Sequence, residues 1–332
     1  MLRRQFVGCV VIGAAVAMLP AMARAAWSPA TVRRIGVLMP LAKSDPIAQR
    51  VLDAFLQGLQ KLGWSESKNY VVEIRYSEGK PERLPALAVE LVQTNIDVLL
   101  AWAAQAVDAA RAATSTIPIV ITGVGDALGA GYIASLAHPG GNITGFTLAA
   151  TDQSTKRLQL IKQMAPETTR VAVIWNNTAS GHRFQMKELV PAAPTLGIEL
   201  QSLPVVNADQ IVSALQAAEQ ARAQALFVCE DPMIQSNRVR IAEFAMQKHW
   251  PVIGEFRPIV DAGGLMSYGP DNVDLWRRVA GVVDKIFKGQ NPGDLPVEQP
   301  NKFEFVINLK TAKAIGVTVP PTLLATADDL IE

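Results

Sequence analysis

From Arg33 onward the chain alternates short apolar runs with longer stretches whose apolar residues recur every three or four positions. The first kind predicts buried strands and the second predicts helices with one apolar face. RIGVLM (34–39), YVVEIRY (70–76), IDVLLAW (96–102) and IPIVIT (117–122) read as strands. Between them lie three helical stretches, PIAQRVLDAFLQGLQKLG (46–63), LPALAVELVQT (84–94) and AAQAVDAARAAT (103–114). After NITGFTL (142–148) the alternation restarts. TRVAVIW (169–175), IELQSLPV (198–205), QALFVC (224–229) and WPVIG (250–254) are strand-like. The intervening helices run over 154–166, over 182–197 with prolines interrupting it, over 208–221 and over 232–249 as one piece. This order predicts an α/β fold of two doubly wound, parallel-sheet lobes. The tail departs from it: GGLMSYG (263–269) is strand-like, 272–289 is a strong amphipathic helix, and FEFVINLK (303–310) is a strand after Pro292, Pro296 and Pro300. If that helix returns to the first lobe and FEFVINLK to the second, the chain crosses between lobes several times and leaves a cleft.

A length of 332 residues fits two domains, and a net charge of +1 offers no footprint for nucleic acid. The first residues have a different character. Arg3 and Arg4 precede an apolar segment from Phe6 to Pro20, and small residues in AMARAAW stand at cleavage spacing, with Ala23 and Ala25 the best pair. A signal peptide over 1–25 is expected, routed by the Sec or the twin-arginine pathway, so the protein is periplasmic or otherwise extracytoplasmic. Of the two cysteines, Cys9 lies in that segment, so the mature chain keeps only Cys229, in a strand-like run, and can form no internal disulfide.

Catalytic motifs are poor. In ITGVGDALGAGY (121–132) the dinucleotide pattern G-x-G-x-x-G has Gly123 and Gly125, but Leu128 fills the third position. No P-loop, H-E-x-x-H or G-x-S-x-G is present. His138, His182 and His249 read as surface or capping residues, and Asp231 before Pro232 as a helix cap. Ligands of parallel sheets bind beyond the carboxyl ends of the strands. Here those ends are MPLAKSDP, AWAAQA, TGVGDALG, WNNTASG, CEDP and GEFRP, mixing short polar residues with Trp102, Trp175 and Phe256. Such a set suits a small zwitterion: helix N-terminal N–H groups for a carboxylate, Asp126 for an ammonium, and aromatic walls for the rest.

The block IPIVITGVGDALGAGYIASLAHPGGNITGFT, with GGLMSYGPD, RRVAGVVDKIFKG and the C-terminal LPVEQPNKFEFVINLKTAKAIGVTVPPTLLATADDLIE, resembles the substrate-binding proteins of ABC transporters of the tryptophan/tyrosine type. The resemblance covers essentially the whole mature chain. It implies a type I periplasmic-binding-protein fold, with three crossings and hinge closure on a ligand. Residues 33–146 with 269–290 would form lobe one, and 147–268 with 300–332 lobe two. It also implies pocket positions at Ser44, Asp45, Ala103, Ala104, Asp126, Asn176, Asn177, Glu230, Tyr268 and Asp271. Trp102, Gly125, Trp175 and Phe256, at the same strand ends, complete the candidate set. Two positions depart from the family pattern: Ala103-Ala104 stands where a hydroxyl residue beside proline is usual, and Ala127 follows Asp126 in place of proline. The implied protein is a monomeric, non-catalytic receptor without cofactor or metal. It captures an amino acid or an aromatic or carboxylate compound and delivers it to a membrane permease served by a separate ATPase. An exported subunit for a signalling receptor and an enzyme with a Rossmann-like nucleotide-binding lobe are the alternatives.

Overall fold

The computed structural model describes residues 32–148 and 150–332. The expected signal peptide lies outside them. Strand β1 (Arg33–Met39) leads into helix α1 (Pro46–Lys61), followed by β2 (Tyr70–Tyr76), α2 (Leu84–Gln93), β3 (Val98–Trp102), α3 (Ala104–Ala113), β4 (Ile119–Val124) and β5 (Ile143–Thr147). These strands form one parallel sheet in the order β2-β1-β3-β4-β5. Helix α1 starts sharply because the Asp45 carboxylate accepts from the N–H of Ile47 and Pro46 follows it. Strand β3, VLLAW, is buried at every position, since helices cover both faces of such a sheet. The two cores that result are centred on Phe55, Leu59 and Trp276 on one face and on Leu87, Leu91 and Val107 on the other.

The second half runs α4 (Ala150–Met164), β6 (Arg170–Asn176), α5 (Ser180–Thr195), β7 (Glu199–Val205), α6 (Gln210–Gln220), β8 (Ala225–Val228), α7 (Pro232–Ser236), α8 (Arg238–Gln247), β9 (Val252–Gly254), α9 (Arg257–Asp261) and β10 (Met266–Pro270). Then come α10 (Asn272–Phe287), β11 (Phe303–Asn308), α11 (Leu309–Ala314), α12 (Pro321–Leu324) and β12 (Asp329–Ile331). The second sheet has the order β12-β11-β10-β9-β8-β6-β7, parallel except where β10 meets β11.

The chain passes between the sheets after β5, after β10 and before β11. Helix α10 lies against α1 so closely that a Cβ on Gly58 would come 2.6 Å from the Arg277 carbonyl. The proline-bearing segment after it runs along β5: Thr147 N–H donates to the Glu298 carbonyl, and Glu298 N–H to the Gly145 carbonyl.

Several local expectations are corrected. Residues 143–147 form a fifth strand; glycine allows it, because Gly145 has φ +127° and its Cα passes close to the Ile121 carbonyl. The stretch 232–249 is two helices, broken at Asn237. Helix α5 continues through Pro191 and Pro194 to Thr195, and the break comes at Gly197, which has φ +65°. Helix α9 and strand β12 were too short to register as periodic segments.

Candidate functional site

A cavity lies between the two sheets, at the carboxyl ends of β3, β4, β6, β8 and β9. Lobe one supplies Trp102, the start of α3, and the loop with Gly123 and Gly125. Lobe two supplies the start of α5 and the residues after β8 and β9. The lobes touch directly. Gln105 donates to the Asp231 carboxylate at 3.1 Å, and Arg238 pairs with Asp45 at 2.9 Å through Nη1 and at 3.4 Å through Nη2.

The lobe-one wall is uncharged and, apart from Gln105, built of apolar side chains and glycine. Trp102 stands edge-on to Trp276, with ring centroids 5.6 Å apart. Gly123, at φ +69°, leaves room for that indole: a Cβ there would lie 2.2 Å from Trp102 Cδ1. Ala103 sits at φ 70° and ψ 159°, a strained conformation for a residue with a side chain, and provides no side-chain cap for α3. Its N–H is used by the Thr122 carbonyl. The next N–H groups, of Ala104 and Gln105, belong to the unpaired set that every helix start leaves, and both residues line the cavity. Helix α5 repeats the arrangement from lobe two, with Ala179 as an uncapped start and Gly181 and His182 on the wall. Two partial positive charges therefore converge on the cavity.

The opposite wall is acidic. Glu230 Oε1 accepts from the N–H groups of Glu255 and Phe256 at 2.9 and 3.0 Å, while Oε2 is buried without a partner among the described residues. Burial pushes the Glu230 carboxyl up to about 8, against the pull of those two N–H donors. Asp231 caps α7 through Ile234 N–H, and its other oxygen accepts from Gln105 and Asn176. Glu255 is 2% exposed; one oxygen lies 4.0 Å from the Arg157 guanidinium and the other has no partner among the described residues. Gln185 Oε1 and Gln235 Nε2 are likewise buried and unpartnered. His182 accepts the Asn176 N–H at Nδ1, so its proton sits on Nε2, 3.3 Å from the Glu230 carbonyl.

Of the residues singled out from the sequence, Trp102, Ala103, Ala104, Gly125, Glu230 and Phe256 stand on the cavity wall. The others are placed elsewhere. Ser44 is exposed, and Asp45 caps α1 and pairs with Arg238. Asp126 turns back to accept from Gly129 N–H at 2.8 Å, stabilising its own turn. Ala127 N–H donates to Thr147 Oγ1 at 3.1 Å, a bond that proline could not make. Trp175 donates to Ser202, and Asn176 braces Asp231 from behind. Asn177 is exposed, with its carbonyl taken by Arg183. Tyr268 stacks on Phe303, centroids 6.0 Å apart, and Asp271 caps α10. Sequence reading missed Gln105, Gln185, Gln235 and Glu255 on the wall, and read the buried His182 as a surface or capping residue. The strand-end signal that found Glu230 and Phe256 also pointed at Gln105 and Glu255, their neighbours in AWAAQA and GEFRP, but gave no sign of Gln185 or Gln235 inside the following helices. Cys229, beside Glu230, is fully buried, and burial pushes its thiol up out of the reactive range.

Two open α/β sheets, joined by three passages of chain and closed on a cavity walled by both, define a two-lobed ligand-binding protein of the type I periplasmic fold. The family model described as ABC transporter substrate binding protein matches residues 34–331. The chain belongs to that family. A tyrosine-binding protein of Clostridioides difficile is 24% identical over 272 residues, covering 82% of this chain and 78% of that protein. A crystal structure of a conserved domain protein from Vibrio cholerae superposes with a TM-score of 0.85 at 28% identity, over 90% of this chain and 99% of that one. A Streptococcus ABC domain in complex with L-Trp gives a TM-score of 0.84 at 23% identity, over 91% of this chain and all of that one (100%).

Proposed function

We propose that this protein is the extracytoplasmic receptor of an ABC importer and that its ligand is an α-amino acid. One observation carries the reading: the cavity is polarised. Uncapped helix starts of α3 and α5 offer N–H groups for a carboxylate. Glu230, whose second oxygen has no partner among the described residues, offers an acceptor for an ammonium that takes the place of the proton its buried carboxyl otherwise holds. Helix α3 belongs to one lobe and Glu230 to the other, so a zwitterion bridging them favours the closed form over the open one. Differential contact of this kind is what drives closure. The names of the tyrosine-binding relative and the L-Trp complex support the same ligand class. The absent hydroxyl at Ala103-Ala104 leaves the carboxylate to backbone N–H groups. The receptor performs no chemistry; its partners are the small ligand, a membrane permease and that permease's ATPase.

Thermal shift of the mature protein against L-amino acids and matched analogues tests this. A true ligand raises the melting temperature by mass action. The amine lacking its carboxylate and the acid lacking its amine should each lose most of the shift. Equal shifts from either analogue would refute the two-ended recognition. Deletion of the gene for this receptor should abolish high-affinity uptake of the ligand; unchanged uptake would refute the importer role.

A further inference from the structure

The cavity holds more buried acceptors than the head group of an α-amino acid uses. Glu230 answers one ammonium. Asp231, on the same wall, is already engaged by Ile234, Gln105 and Asn176. Glu255 is different: it lines the cavity, is 2% exposed, and keeps Oε1 without a partner among the described residues. The buried cation near it is Arg157, which does not line the cavity; its Nε–H has no partner among the described residues, and its two terminal nitrogens are engaged elsewhere. Nη1 donates to the Tyr268 carbonyl at 3.2 Å, Nη2 to Ser154 Oγ at 3.1 Å, and the group lies over the Phe227 ring. Its contact with Glu255 is long, at 4.0 Å, and reaches the other carboxylate oxygen. Gln185 Oε1 is a further bare acceptor on the wall. Three carboxyl groups thus stand on the wall with no Lys or Arg side chain among the lining residues, and lobe one adds no charged side chain to it among the described residues.

We infer that the ligand's side chain carries a second nitrogen donor, positively charged, and that Glu255 receives it: the site is built for a basic α-amino acid. This rests on the amino-acid reading above and narrows it. A hydrocarbon or aryl side chain would leave Glu255 Oε1 bare on the cavity wall, and a buried acceptor without a donor opposes closure. An acidic side chain would add another like charge to an already acidic wall. Only a donor-rich side chain turns both features into favourable contacts. The residue that decides specificity is therefore Glu255, which caps no helix.

Isothermal titration of the mature protein with L-lysine, L-ornithine, L-arginine, L-glutamine, L-leucine, L-tyrosine, L-tryptophan and L-glutamate tests the assignment. At least one basic amino acid should bind about tenfold or more tighter than leucine, tyrosine and tryptophan, as expected when a site holds a buried partner for one side chain and none for the others. Glu255→Gln should weaken binding of the preferred basic amino acid about tenfold or more relative to leucine, erasing most of that preference, whereas an unchanged ratio would overturn the assignment. Tyrosine, tryptophan or leucine binding as tightly as the basic amino acids would overturn the assignment and leave the amino-acid receptor standing. Failure of all eight to bind would overturn both. Should Glu255→Gln not fold, the ranking on the unaltered protein decides alone.

Discussion

Replacing Glu230 by glutamine tests the acidic wall without any ligand. Glutamine keeps the shape, and its Oε1 can still accept from Glu255 N–H and Phe256 N–H. What changes is the second oxygen, buried and unpartnered among the described residues, which becomes an amide nitrogen. The Glu230 carboxyl is raised from 4.5 to about 8 by burial, with the Glu255 carboxyl adding to the rise and the Arg157 guanidinium opposing it. Asp231, the Cys229 thiol and His182 complete its ionisable surroundings. Between those two values the folded protein holds a proton that the unfolded chain has released. Stability therefore falls as pH rises across that window, by up to about 1.4 kcal/mol per pH unit. Over the full window this amounts to roughly 3–5 kcal/mol. The variant carries no such proton. Urea unfolding from pH 5 to pH 9 should show the variant gaining on the wild type as pH rises, with the difference levelling off above about pH 8. Wild type and variant running parallel across the whole range would refute the buried, unpartnered carboxyl.

Three other perturbations report on the rest of the site. Asp45→Asn keeps a good cap for α1 but removes the ion pair that ties the lobes at Arg238. Ligand dissociation should quicken about five- to thirty-fold, the effect of 1–2 kcal/mol, and a stopped-flow rate equal to wild type would refute the tie. Gly123→Ala forces a Cβ into the Trp102 indole at positive φ, and calorimetry should find a loss of about 2–4 kcal/mol; an unchanged melting temperature would show that the indole has room to move. Ala127→Pro removes the N–H that serves Thr147 Oγ1 and should cost about 1–2 kcal/mol in urea unfolding, whereas a stabilised variant would show that bond to be dispensable.

The class of fold was legible because parallel strands covered on both faces must be apolar through their middle, as in VLLAW and the VAVIW of β6. Strand β5 was not, since its five residues include a glycine and a threonine pair and carry no period. Site residues were harder. Asp45, Asp126 and Asp271 stand at strand ends, where a ligand would bind, but each bonds an N–H two or three residues onward. A short carboxylate before a helix or turn serves the backbone just as well as a ligand, and spacing does not separate the two uses. Glu255 and Gln185 lie far apart in the chain and reach one cavity only because β9 ends and α5 begins there.

By itself the sequence determined the alternation of strands and helices, the two-sheet architecture and the family, because these follow from periodicity and from blocks of contiguous residues. The tertiary structure decided which polar groups on the cavity wall have no partner among the described residues. That depends on contacts such as Gln105 with Asp231 and Arg238 with Asp45, across 126 and 193 residues, which exist only when the two lobes meet.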